Sequence, residues 1–371
     1  MAEIVKAELF MVDLQPKVRR TDAIQSFDSQ ETPIVRLTDA DGFTGTGYSY
    51  TIGQGGAAIM SLLTDTLIPK LAGADGDCIE KIWRDLLFST HATSVGAITS
   101  LSLAAIDTAL WDLKCRRAEL PLYRMSGGAK DSVPLYTTEG GWLHLSVDDL
   151  VADAVQARSQ GFAGSKVKIG KVLLSQDRAR LKAVREAVGD DYEIMVDANQ
   201  GFSLSEAIRR SKMLEEMNIG WFEEPMPADD IASHAQLAMH SHVPVAVGES
   251  LYSISQFKDY LQAGAASIVQ VDVARIGGIT PWLKVAHMAE AYNVSVCPHF
   301  LMELHVSLVC AVNNTPWLEY IPQLDDITAS GMRVDNGHAV PSGEPGLGID
   351  WDWKKIEENC LPQFSKVLQL R

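Results

Sequence analysis

Residues 4–12 are dominated by apolar side chains and read as a strand; residues 33–37 and 44–50 read as two more. Asp39-Ala40-Asp41-Gly42 joins the last two, and its Asp and Gly residues are those of a hairpin turn. Three helical patterns follow, near 57–71, 78–88 and 97–117, the last with Leu101, Ala105, Thr108 and Asp112 on successive turns. An antiparallel sheet followed by helices predicts an α+β module.

Beyond Met125-Ser126-Gly127-Gly128 the pattern changes, and short apolar runs alternate with helical segments of ten to fifteen residues. The runs lie at 133–137, 164–169, 193–196, 220–222, 245–247, 268–271, 294–297 and 317–319. Helices are predicted between them, for example at 148–159, 176–188, 205–217 and 280–292, with Pro281 in the first turn of the last. Eight strands alternating with helices predict an α/β fold of the (β/α)8 TIM type. The expected organisation is an α+β module over 1–125, a barrel over 126–320 and a Pro- and Gly-rich segment over 321–371 that returns to the first module.

The composition, 46% hydrophobic and 22% charged, is that of a soluble globular chain of 371 residues. Asp and Glu outnumber Lys and Arg by 48 to 32, a formal charge of −16 that repels nucleic acid and anionic membranes. An anionic ligand therefore requires a local concentration of cations. The five cysteines (Cys78, Cys115, Cys297, Cys310, Cys360) form no Cys-x-x-Cys pair. Together with an N-terminus that lacks an export signal and the absence of any run long enough to span a bilayer, they predict a cytoplasmic protein.

Functional groups of a parallel barrel sit at the C-terminal ends of its strands, and here those ends are charged. Lys166 and Lys168 lie on the second strand, followed by Asp197 with Asn199, Glu223-Glu224-Pro225, Glu249, Asp272, His299 and Glu319 on the next six. From Lys168 the intervals are 29, 26, 26, 23, 27 and 20 residues, each close to one βα unit, so a closed barrel gathers these side chains at one mouth.

Three carboxylates from adjacent strands, Asp197, Glu223 and Glu249, would repel one another without a hard cation, and Mg²⁺ suits three oxygen ligands with water or substrate at the other positions. Lys166 and Lys168 are two apart and face the same side of their strand. Mutual repulsion and burial are expected to lower their pKa values, leaving one neutral as a general base. Asp272 would hold one ring nitrogen of His299 and present the other to substrate. Glu319, if protonated, would donate to a substrate carboxylate. The pair His240 and His242 precedes the fifth strand and so falls on the opposite face. Gly42, Gly45 and Gly47 belong to a hairpin and not to a phosphate loop.

These residues resemble the enolase superfamily, mandelate racemase subgroup. The resemblance covers nearly the whole chain through Lys166-Val167-Lys168, Asp197-Ala198-Asn199, Glu223-Glu224-Pro225, Gly248-Glu249-Ser250, Asp272 followed by Ile276-Gly277-Gly278, and Pro298-His299. It implies a modified barrel under an α+β capping domain, Mg²⁺ on Asp197, Glu223 and Glu249, Lys168 as one base tuned by Lys166, and His299 with Asp272 as the other. It also implies that Asn199 meets a substrate hydroxyl, that Glu319 meets the substrate carboxylate, and that the α-proton of a carboxylate is abstracted through an enediolate.

Reprotonation of that intermediate gives a racemase, epimerase or cycloisomerase, whereas loss of a β-hydroxyl gives a dehydratase. The basic loop Gln15-Pro16-Lys17-Val18-Arg19-Arg20 suits a distal carboxylate read by Arg19 and Arg20. Residues 42–50 and the segment Gly140-Gly141-Trp142-Leu143-His144 resemble those of galactarate and talarate dehydratases, adding Thr138 and His144 as expected substrate contacts. The expectation is a homo-oligomeric dehydratase of an aldarate or aldonate. A non-catalytic metal-binding barrel is the alternative of another class, disfavoured by the intact set of bases and ligands.

Overall fold

The computed structural model describes residues 2–370. Its first strands are β1 (Ile4–Leu14), β2 (Arg20–Thr21), β3 (Ser26–Phe27), β4 (Gln30–Asp39) and β5 (Thr44–Tyr48). β1, β4 and β5 form an antiparallel sheet, while β2 and β3 make a separate small hairpin. The β4–β5 turn forms as its sequence predicts: Asp39 Oδ1 accepts from the N–H groups of Asp41 and Phe43, and Gly42 takes a positive φ of 90°.

Helices α1 (Gly56–Leu62), α2 (Ile79–Ser89) and α3 (Ala97–Arg117) follow. The single helix expected over 57–71 is broken. After α1 the chain widens into a π turn, Leu63–Leu67, and tightens into a 3-10 turn, Ile68–Leu71, where Pro69 has no N–H to continue the α pattern. Helix α3 lies directly against β5. A Cβ on Gly45 would come within 2.3 Å of the Ala109 carbonyl oxygen and one on Gly47 within 2.2 Å of the Ala109 nitrogen, so these glycines set the close approach of helix and sheet.

The barrel strands are β6 (Val133–Thr137), β7 (Gly164–Lys168), β8 (Glu193–Asp197), β9 (Phe222–Glu223), β10 (Val245–Val247), β11 (Ile268–Val269), β12 (Ser295–Val296) and β13 (Leu318–Tyr320). β6 to β12 pair in parallel in chain order, and β13 pairs with β6. β11 and β12 are shorter than their apolar runs. Helices occupy the crossovers, among them Val147–Ser159 and Ile279–Ala291. Inside the barrel, Tyr136, Met195, Trp221, Ala246 and Cys297 form an apolar plug.

Cap and barrel are joined by polar contacts within a shared core. Asp107 of α3 accepts from the Thr280 N–H at the start of the helix Ile279–Ala291, and Trp111 Nε1 donates to the Thr280 hydroxyl. Beyond β13, strands β14 (Thr328–Ser330), β15 (Arg333–Asp335), β16 (His338–Val340) and β17 (Asp350–Trp351) precede β18 (Lys366–Gln369). β18 extends the cap sheet by pairing with β1, whereas the β15–β16 hairpin pairs with β6 of the barrel. All five cysteines are free. No helix among the described residues is long and apolar enough to cross a membrane.

Candidate active site

Register brings the first charged residues together. Lys168 is paired with Asp197 across β7 and β8, and Asp197 with Glu223 across β8 and β9, so the three stand side by side at the strand ends. The period of two turns Lys166 inward with Lys168, and both are buried. Past the strand ends the backbone adopts positive φ at Asn199, Glu224 and Phe300, sparsely populated conformations of the kind that re-aim side chains around a site. At Glu224 this separates two consecutive acids: Glu223 enters the barrel mouth, while Glu224 accepts from Gln200 Nε2.

Asp197, Glu223 and Glu249 each present a carboxylate oxygen, and the three atoms lie within 4.8 Å of one another. All three residues are buried. Three buried hard anions converging this closely fit an octahedral divalent cation such as Mg²⁺.

Lys166 Nζ lies 2.9 and 3.1 Å from the two oxygens of Glu223 and 2.9 Å from Glu319 Oε1, over the Tyr136 ring. Lys168 bonds Asp197. Burial favours neutral lysines, but Glu223 and Glu319 outweigh it at Lys166, and Asp197 does so at Lys168, so both pKa values are raised. The expectation of mutually depressed lysines omitted these facing carboxylates. Burial and the Asp197 charge push Glu223 up to about 8, yet its oxygens accept from Lys166, from Gln270 Nε2 at 2.6 Å and from Trp221 Nε1 at 3.1 Å. Donors on every side identify the ionised carboxylate.

On the other side of the mouth, His299 Nδ1 lies 2.8 Å from Asp272 Oδ2 and its Nε2 lies 3.2 Å from Glu249 Oε2. Burial works against charge on both partners, but the hydrogen bond and mutual attraction lower Asp272 to about 2, and Glu249 with Asp272 raises His299. Asp272 Oδ1 accepts from the N–H groups of Ala274 and Arg275. Glu319 differs from its expected role as a donor. Although burial opposes ionisation, Lys166, His299, the Thr138 hydroxyl at 2.6 Å and the Phe300 N–H at 2.8 Å hold it well below the usual carboxylate range. It is a charged acceptor that fixes Lys166 and Thr138.

Lys166, Lys168, Asn199, Glu249, His299, Glu319 and Thr138 line one cavity. The expected cap contacts do not. Arg19 is exposed, and Arg20 is buried against Glu139 at 2.6 Å, Gln323 and the Pro322 carbonyl, because its guanidinium packs between Trp142 and Phe300. His144 is exposed, with Nδ1 2.5 Å from the Thr21 hydroxyl; its neighbour Trp142 reaches the cavity instead. Sequence reasoning missed Tyr50 and Arg275 on the cavity wall, and Gln270 and Trp221 behind Glu223. Arg275, three residues beyond Asp272, carried a positional signal; the others carried none.

Residues 6–127 match the mandelate racemase/muconate lactonizing enzyme N-terminal domain, and residues 149–355 the enolase C-terminal domain-like family. The chain belongs to the mandelate racemase subgroup of the enolase superfamily. It is 38% identical over 316 residues to the L-talarate/galactarate dehydratase of Salmonella typhimurium, covering 85% of this chain and 79% of that enzyme. It is 35% identical to the 3,6-anhydro-alpha-L-galactonate cycloisomerase of Streptomyces coelicolor, over 96% of this chain and 98% of that one. The crystal structure of the Salmonella dehydratase with Mg and L-lyxarohydroxamate superposes with a TM-score of 0.94 at 33% identity, covering 99% of this chain and 94% of that chain.

Proposed function

We propose that this protein is a Mg²⁺-dependent hydro-lyase that converts a sugar acid to a 2-keto-3-deoxy acid. The observation that carries this reading is the convergence of Lys168 and His299 on one cavity, at opposite ends of the Asp197, Glu223 and Glu249 trio. That trio would hold Mg²⁺, which would supply positive charge to stabilise the substrate carboxylate once its α-proton is lost.

With Mg²⁺ on the trio, Asp197 and Glu249 would hold the protons of Lys168 and His299 less tightly, so that each group in its neutral form can take the α-proton from its own face. Lys166 stays charged between Glu223 and Glu319 and adds its field to the carboxylate end. When Lys168 is the base, His299 in its imidazolium form, stabilised by Asp272, protonates the departing β-hydroxyl, which leaves as water. The resulting enol then becomes the ketone. Asn199 Oδ1 is buried without a partner and accepts from a substrate hydroxyl.

The capping-domain residues on the cavity wall are Asp22, Gln25, Phe27, Tyr50 and Ile52. Of these, Asp22 and Gln25 offer partners for substrate hydroxyls, whereas the Tyr50 hydroxyl is already engaged by Asp272 and Arg275. The domain limits in this reading are a cap over 1–125, a barrel over 126–320 and a segment over 321–371 that returns to the cap through β18 and also pairs with β6 of the barrel. Cycloisomerisation is the second reading, supported by the near full-length similarity to the Streptomyces enzyme.

Incubation of the Mg²⁺-loaded protein with a panel of aldonates, aldarates and their anhydro and lactone forms tests the proposal. A 2-keto-3-deoxy acid formed from an open-chain acid with loss of water supports it, an isomer formed from a ring-bearing acid without loss of water supports the second reading, and no reaction with any member refutes both.

A further inference from the structure

The cap does more than cover the mouth: one of its side chains ends on the acid–base pair. Tyr50, just beyond β5, is 2% exposed, and its hydroxyl donates to Asp272 Oδ2 at 2.7 Å. The same oxygen lies 2.8 Å from His299 Nδ1. The hydroxyl in turn accepts from Arg275 Nε at 3.0 Å, and Arg275 Nη1 donates to the Glu249 carbonyl at 3.0 Å. The Tyr50 ring packs on Phe300 with centroids 4.7 Å apart, and Phe300 stacks on His299 at 5.2 Å.

A buried phenol needs a hydrogen-bond partner, and any core carbonyl would serve. Here the partner is the oxygen that orients His299, so hydroxyl and imidazole share one acceptor. Both contacts between Tyr50 and the pair, through Asp272 and through Phe300, converge on the position of the imidazole.

We propose that Tyr50 is a positioning residue for the Asp272–His299 pair, contributed by the capping domain, so that the pair reaches its working geometry only with the cap seated. This rests on the role given above to His299, and the hydroxyl acts through that residue without touching the reacting atoms. Without it, Asp272 keeps only His299 on Oδ2, Arg275 Nε loses its acceptor, and the imidazole gains freedom to rotate. The Lys168 side, held by Asp197, is untouched.

Tyr50→Phe keeps the ring on Phe300 and removes only the hydroxyl. With Mg²⁺ and the sugar acid that the wild type turns over fastest, kcat is expected to fall by about 10- to 100-fold with KM nearly unchanged. In the His299→Asn background, where exchange of the α-proton with D₂O depends on Lys168, adding Tyr50→Phe is expected to change the rate less than about twofold. A further tenfold loss there would show general loosening of the cap and overturn the proposal, as would wild-type kcat in Tyr50→Phe.

A second measurement needs no substrate. The hydrogen-bonded imidazole N–H resonance of His299, identified by its loss in His299→Asn, is expected to move upfield or broaden in Tyr50→Phe, and an unchanged resonance contradicts the proposal. If the wild type processes no sugar acid, the proposed function fails while the resonance still decides the role of Tyr50.

Discussion

Nε2 of His299 lies 3.2 Å from Oε2 of Glu249, so the imidazole stands at one end of the carboxylate trio while Lys168 bonds Asp197 at the other. Between them Glu223 occupies the centre, receiving Lys166, Gln270 and Trp221. In the proposed mechanism Lys168 and His299 would act on opposite faces of one substrate carbon.

Glu223→Gln removes one hard anion without opening a cavity. Mg²⁺ affinity and turnover are expected to fall by about 100-fold or more, with Tm within about 5 °C of the wild type. Calorimetric titration with Mg²⁺ beside a thermal melt checks both, and unchanged affinity would remove Glu223 from the ligand set.

Arg20 is buried with its ion pair to Glu139 and cannot be removed without leaving that carboxylate unmatched. Arg20→Ala is expected to destabilise the protein by about 3 kcal/mol and to lower activity on mono- and diacids alike, whereas Arg19→Ala changes little. Denaturant unfolding measures the first effect. A loss confined to diacids would restore Arg20 as the reader of a distal carboxylate.

Asp107 joins α3 to the barrel, and burial raises its carboxyl to about 7 despite the Thr280 N–H. The folded protein therefore prefers the protonated form, while the unfolded chain ionises near 3.8. The stability this group contributes is complete below that pH and is lost as pH rises through about 7, a change on the order of 4 kcal/mol. Asp107→Asn cannot ionise, so its stability relative to the wild type is expected to increase between about pH 5 and pH 8. Melts across that range that stay parallel would contradict the assignment.

The barrel and its strand-end chemistry were legible because each rests on local information: an apolar run, then an ionisable residue, repeated at one βα interval. Register then placed Lys168, Asp197 and Glu223 in one row without further help. What the spacing could not reveal is which charges neutralise one another. The state of Glu319 depends on Lys166, Thr138 and a Phe300 N–H from three separate segments. Arg20 looked like part of a free basic loop because its partner Glu139 is 119 residues away. Tyr50 sat in a cap strand pattern whose apolar character explained it fully, and its contact with Asp272 spans 222 residues.

The central claim is that two bases act on one α-carbon from opposite faces. The most direct test is exchange of that proton in D₂O, with Mg²⁺ and both C2 epimers of the sugar acid that the wild type dehydrates. Lys168→Met is expected to exchange one epimer only, through His299, and His299→Asn the other only, through Lys168, with neither variant dehydrating at the wild-type rate. Exchange of both epimers at wild-type rates by either variant would contradict the two-base site.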